Sequence, residues 1–196
     1  MNKNTKKIVL IGMFSAIAYI FTLIGHLIPI AFADFLKYDP KDTIIVIAGF
    51  ALGPLSALII SVLTALLELI TISTTGIIGF VMNVIASATF ACIPAFIYKR
   101  SRKFKTAIIT LLISSTLVVG FMLLWNWLIT PLYMGVPREA VVEMLIPIFL
   151  PFNVLKVTLN TILTLLIYKP IVRALRQTGL LSKSDNDKSE EKAQEK

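Results

Sequence analysis

Apolar stretches long enough to cross a lipid bilayer take up most of this chain and leave almost no alternative to an integral membrane fold. A spanning helix needs about 20 mostly apolar residues. Segments 8–32, 77–98, 106–128 and 148–170 each qualify. Composition agrees: 57% of the 196 residues are hydrophobic and the mean hydropathy is +0.85, above the roughly 45–50% apolar usage of soluble domains. The length suits a single membrane domain. A net charge of +8 does not imply nucleic acid, because the basic residues sit in short loops and near the termini, where membrane orientation puts them. The single cysteine, Cys92, lies in an apolar run and reads as a small packing residue.

Lys3, Lys6 and Lys7 precede an apolar stretch ending at Ala31-Phe32-Ala33, which has the outline of a cleavable signal. A signal core runs to about 7–15 residues; the run from Ile8 to Phe32 is longer and reads as a retained helix. The stretch from Thr43 to Ser73 is too long for one span and too short for two full ones. Gly53-Pro54 breaks it, since proline lacks the amide donor and disfavours helix at the residue before it. This predicts a short helix over 43–52 and a longer one over 55–72. Charge decides between a kink and a reversal. Only a reversal puts the cluster Lys99, Arg100, Arg102, Lys103, Lys105 on the same side as Lys3, Lys6, Lys7 and as Lys169, Arg173, Arg176, the cytoplasmic side. The expected fold is therefore all-α and integral to the plasma membrane: six transmembrane helices over residues 1–180, the second one short, with both termini cytoplasmic. Residues 181–196 are mixed in charge and lack apolar anchors, and read as a disordered tail. Loops 33–42, 73–77 and 129–147 fall outside.

Threaded this way, the rare polar residues collect at one depth. Glu68, Asn83, Asn126, Asn153, Lys156 and Asn160 all lie in outer halves of their segments, with His26 near them, while the inner halves are almost purely apolar. Burying an unpartnered amide or charge in hydrocarbon costs several kcal/mol, so such groups mark a cavity, a pathway or a binding site. Asn153, Lys156 and Asn160 are spaced i, i+3, i+7 on one helix face. Amides with both donors and an acceptor, plus one ammonium, suit a mostly neutral ligand rich in carbonyl, ring-nitrogen and hydroxyl groups. Phe35, Tyr38, Trp125, Trp127, Tyr133 and Phe152 offer stacking faces. A second reading stands beside each: asparagines also bond neighbouring helices, tryptophans also form the interfacial belt, and Glu68 also serves as a partner for Lys156. The loop from Asp34 to Asp42 is either a solvated connector, with Asp42 capping a helix that begins at Thr43, or a lid over an outward cavity. Gly12, Ser15, Ala16 and Ala18 make a small-residue surface that lets another helix approach, within the bundle or from a partner.

The chain has no Gly-x-x-x-x-Gly-Lys sequence and no His-Glu-x-x-His, and one His with one Cys cannot build a usual zinc site. No catalytic set and no metal site are expected.

The stretches Met13-Phe14-Ser15-Ala16-Ile17-Ala18, Asp39-Pro40-Lys41-Asp42, Phe50-Ala51-Leu52-Gly53-Pro54 and Phe80-Val81-Met82-Asn83 lead to a resemblance. So do the run from Trp125 to Tyr133 and Pro151-Phe152-Asn153-Val154-Leu155-Lys156, which are the more specific. From about Lys7 to Leu180 the chain resembles the S components, the substrate-capturing subunits of energy-coupling factor (ECF) vitamin transporters, and within them the riboflavin-specific type. The resemblance implies riboflavin held at the extracellular side by Asn126, Asn153 and Lys156, with Leu36, Tyr38 and Asp39 from a covering loop; Asn83 is a weaker match, and Asn160 and Glu68 complete the candidate set. It also implies a transmembrane T component docking on the small-residue face of the first helix and two ATP-binding-cassette ATPases. No cofactor is implied: riboflavin is cargo, and ATP is used by partner subunits only. Two alternatives stay open, the same architecture for another vitamin or flavin analogue, and a small integral-membrane enzyme using Glu68.

Overall fold

The computed structural model describes residues 2–27, 36–101 and 103–177. These residues fold as α1 (Lys3–Leu27), α2 (Lys41–Leu52), α3 (Pro54–Thr71), α4 (Gly76–Tyr98), α5 (Phe104–Met134), α6 (Arg138–Met144) and α7 (Leu150–Gln177), with a π-helical segment at Leu145–Phe149 joining the last two. The helices α6 and α7 and the π segment form one continuous rod, so the bundle has six rods. Five of them are long and apolar enough to cross a membrane. The sixth, α2, is 12 residues long, which at about 1.5 Å per residue falls short of a roughly 30 Å hydrocarbon layer. It is walled in instead. Every residue from Lys41 to Gly49 is buried, and α2 packs against α1, α3, α4 and α7.

Gly53-Pro54 is a reversal. Gly53 adopts φ 96°, a backbone conformation that favours glycine, and Pro54 opens α3, where its missing amide costs no hydrogen bond. The two helices fold back so tightly that a Cβ built on Gly49 would sit 3.1 Å from Ala57 Cβ and 2.9 Å from Ala95 Cβ. Gly49→Val is expected to overpack this junction at a cost of about 1–3 kcal/mol; a thermal melt in detergent that matches the wild type would contradict it.

The last rods are longer than the sequence suggested. The loop expected over 129–147 shrinks to Gly135-Val136-Pro137, because α5 runs on to Met134 and helix resumes at Arg138. Two prolines are accommodated within these rods. Pro131 is accommodated inside α5. Pro151 lacks the amide that would bond Pro147 and crowds its carbonyl; the π segment lies just before it, where a wider turn eases that conflict.

The two ends of the bundle differ. At one end Tyr168 meets both Phe50 and Tyr98 edge-on, the Tyr98 and Tyr168 hydroxyls bond each other, and Lys169 lies over Phe104. Lys99, Arg100, Lys103 and Lys105 are at this end too, which marks it as cytoplasmic. At the other end lie the polar side chains. The expected tail over 181–196, Phe35 and the first part of the loop fall outside the described residues.

Candidate ligand site

A cavity of about 280 Å³ opens at the polar, outer end of the bundle. Its wall draws on His26 of α1, Glu68 of α3, Phe80, Met82 and Asn83 of α4, Met122, Asn126 and Tyr133 of α5, Asn153 and Lys156 of α7, and Leu36 and Asp39 of the loop before α2. Asn126 and Asn153 each donate one amide hydrogen to the carbonyl one turn earlier, on Met122 at 2.7 Å and Phe149 at 2.8 Å. Thr130 donates to Asn126 Oδ1 at 2.9 Å. These bonds fix the amide planes on the cavity wall and leave each a second N–H. Lys156 is within 3.8 Å of Asp42 Oδ2, and Asp42 also accepts from Ser87 at 2.5 Å.

Beside the cavity is a fully buried ammonium. Lys41 has no exposed surface; its Nζ lies 2.5 Å from Asp39 Oδ2 and 2.6 and 2.8 Å from the two oxygens of Glu68. Asn83 donates to Glu68 Oε2 at 2.8 Å. Thr22 Oγ1 is 3.2 Å from both Asp39 Oδ1 and Glu68 Oε1, and the Lys41 amide donates to Asp39 Oδ1 at 3.1 Å. Two carboxylates and one ammonium are thus paired and hydrogen-bonded, the condition under which burial of charge is tolerated. Burial works to raise the Asp39 carboxyl, but the Lys41 and Lys156 ammoniums outweigh it and hold the group below its ordinary value.

The described part of the loop, Leu36–Pro40, is packed into the bundle. Tyr38 and Asp39 are 5% and 7% exposed while Lys37 faces solvent, so this part of the loop is anchored rather than solvated throughout. Burial, with the charges of Asp39 and Asp42, pushes the Tyr38 phenol up to about 12. It stays protonated and donates to Asn160 Oδ1 at 2.8 Å, while Asn160 Nδ2 donates to the Asp39 carbonyl at 3.1 Å. The loop runs so close to α1 that a Cβ on Gly25 would stand 2.5 Å from the Tyr38 carbonyl oxygen.

Seven of the nine candidate ligand residues come together on the cavity wall: Leu36, Asp39, Glu68, Asn83, Asn126, Asn153 and Lys156. Tyr38 and Asn160 do not; they bond one another beneath the loop. Three local readings are corrected. The partner of Glu68 is Lys41, not Lys156, because Lys41 reaches inward from the start of α2. Asp42 does not cap a helix at Thr43, since the helix begins at Lys41 behind Pro40 with no side-chain cap. The small-residue surface on α1 divides: Gly12 and Ala16 are exposed, whereas Ser15 and Ala18 face the bundle and are buried. Trp127 is exposed with Arg138 over its ring, while Trp125 packs against the core. Lys41 was read as a loop residue and given no role. Its signal was a cation immediately before a helix too short to meet lipid.

A family model described as "ECF transporter, substrate-specific component" matches residues 6–168. The chain belongs to this family. This S component is 26% identical over 181 residues to the "Riboflavin transporter RibU" of Staphylococcus aureus (strain TCH60), covering 89% of this chain and 95% of that one. It is 29% identical over 189 residues to the "Riboflavin transporter FmnP" of Bacillus subtilis (strain 168), covering 90% and 99%. A solved structure described as "Structure and mechanism of the S component of a bacterial ECF transporter" superposes with a TM-score of 0.73 at 27% identity, over 88% of this chain and 98% of that one. The S component is thus a multi-pass membrane protein of a transport system.

Proposed function

We propose that this S component captures riboflavin at the outer face and delivers it to the cytoplasm with a T component and two ATP-binding-cassette ATPases. One observation carries the reading: the outward cavity is lined by Asn83, Asn126, Asn153 and Lys156, in a chain similar over about nine-tenths of its length to two riboflavin transporters. A flavin ring edge alternates carbonyl and ring-nitrogen acceptors with an imide donor, and its ribityl chain carries hydroxyls. Amides supply matching donors and acceptors, and Phe80, Tyr133 and the methionines supply apolar wall for the ring. Buried Lys41 and partly buried Lys156 already face carboxylates, and Lys37 on the cavity wall is exposed to solvent, which favours a neutral ligand over a multiply charged anion. Riboflavin is cargo in this reading and no cofactor is needed. Glu68 is held by Lys41 and Asn83, an arrangement better suited to holding a charge in place than to passing a proton. For the partner, Gly12 and Ala16 offer the exposed small-residue face of α1.

Titrating purified protein into riboflavin and following flavin fluorescence tests the proposal. Saturable quenching at or below micromolar concentration is expected, with other vitamins failing to compete. No quenching, or displacement by an unrelated vitamin, would reject riboflavin as the cargo.

A further inference from the structure

The geometry points to Lys41 as a positioning residue that latches the Leu36–Pro40 loop over the cavity through Asp39 and Glu68; the ligand-exchange part of this inference rests on the riboflavin reading. Lys41 itself does not line the cavity, so any influence on a ligand passes through the two carboxylates that do. Its three N–H donors meet Asp39 Oδ2 and both oxygens of Glu68. One of these acceptors belongs to the loop and the other to α3, and Asn83 ties the α3 carboxylate on to α4. The ammonium is therefore a cross-link between the loop and the helices that form the opposite wall. On its other flank the loop is held by Asn160 of α7, through Tyr38 and the Asp39 carbonyl.

The choice of a charged latch has a physical reason. Apolar residues of similar size often hold a buried junction more tightly than an ion pair does, so an apolar junction would keep the loop down. Asp39 and Glu68 both border the cavity. When the loop lifts, water reaches both carboxylates and replaces the lost pairing. The closed and open positions then differ by little, and the loop can exchange between them. Without the ammonium the two carboxylates face each other across a dry gap, and Asp39, on the loop, is the one free to leave.

Two measurements on the intact protein decide the matter. The first needs no ligand: backbone hydrogen exchange of the Leu36–Asp42 region should speed up about tenfold in Lys41→Met, while the Tyr98 and Tyr168 ends of α4 and α7 keep wild-type protection. Adding Asp39→Asn to that variant removes the like-charge repulsion and should restore part of the slow exchange. In the second, stopped-flow riboflavin binding, both association and dissociation should accelerate about tenfold, because a loosened lid admits and releases alike. If Lys41→Met does not fold, Glu68→Gln severs the same cross-link with nearly unchanged shape and should give the same loop-confined change. Unchanged loop exchange, faster exchange spread equally over all helices, or a rise in dissociation alone would each overturn the latch. Failure of the wild type to bind riboflavin would sink the transport reading and leave hydrogen exchange to judge the latch.

Discussion

Alanine at Asn153 or at Lys156 is expected to weaken riboflavin binding by about 1–3 kcal/mol, roughly five- to hundredfold in Kd, through buried hydrogen bonds that water cannot replace in the bound state. The two changes differ in what they leave behind. Asn153→Ala removes the side-chain donor to the Phe149 carbonyl, at the end of the π segment, and deletes an amide whose carbonyl oxygen and second N–H are uncommitted among the described residues. Lys156→Ala also removes the ammonium paired with Asp42, leaving that buried carboxylate with the Ser87 hydrogen bond and the more distant charge of Lys41. Part of the Lys156 effect should therefore appear as lost stability. Pairing Lys156→Ala with Asp42→Asn separates the two contributions: the melting temperature should recover, and the affinity should not. Fluorescence titration beside thermal melts gives both readouts, and wild-type affinity in both single variants would remove these residues from the site.

Gly25→Ala should be more damaging than its single methyl group suggests. That methyl would lie 2.5 Å from the Tyr38 carbonyl oxygen and 2.6 Å from Pro40 Cδ. Neither atom can rotate aside, because one is backbone and the other belongs to a ring fixed to it. The loop has to move, carrying Leu36 and Asp39 off the cavity wall and straining the bonds to Asn160 and Lys41. A loss of about tenfold or more in riboflavin affinity is expected, with helix content retained, since alanine suits α1 itself. Gly120→Ala is the matched control: nothing lies within 4 Å of a Cβ there, and affinity should not change. Equal affinities for Gly25→Ala and wild type would show that the loop does not close the site.

Much of this molecule was legible in its sequence, for reasons that mark where legibility ends. Hydrocarbon forbids stray polar groups, so Asn83, Asn126, Asn153 and Lys156 could be picked out one by one, and seven of the nine candidates named beforehand reach the cavity wall. Gly53-Pro54 gave the reversal because its two residues fail in a helix for independent steric reasons. Pairing was less visible. Spacing along one helix says which side chains share a face, but not which residue from another rod arrives opposite. Glu68 was therefore assigned the nearest known cation, Lys156, and Lys41 passed as a loop residue. Asn160 shares its helix face with Asn153 and Lys156, yet it lies deeper, under the loop, where it meets Tyr38. The last boundaries were misplaced because apolar length sets the span that lipid covers, whereas α5 runs on to Met134 and helix resumes at Arg138, beyond those limits.

The concealed second rod has a topological consequence. Five rods meeting lipid would leave the two chain ends on opposite faces of the bilayer; α2 makes the number even while contributing almost nothing to the lipid-facing surface. Remove it, and everything after Pro54 would have to stand upside down relative to α1, lifting the basic stretch after Tyr98 across the membrane against its preferred side. The shortest helix, the one that hydropathy alone would discard, keeps the four rods that follow it upright.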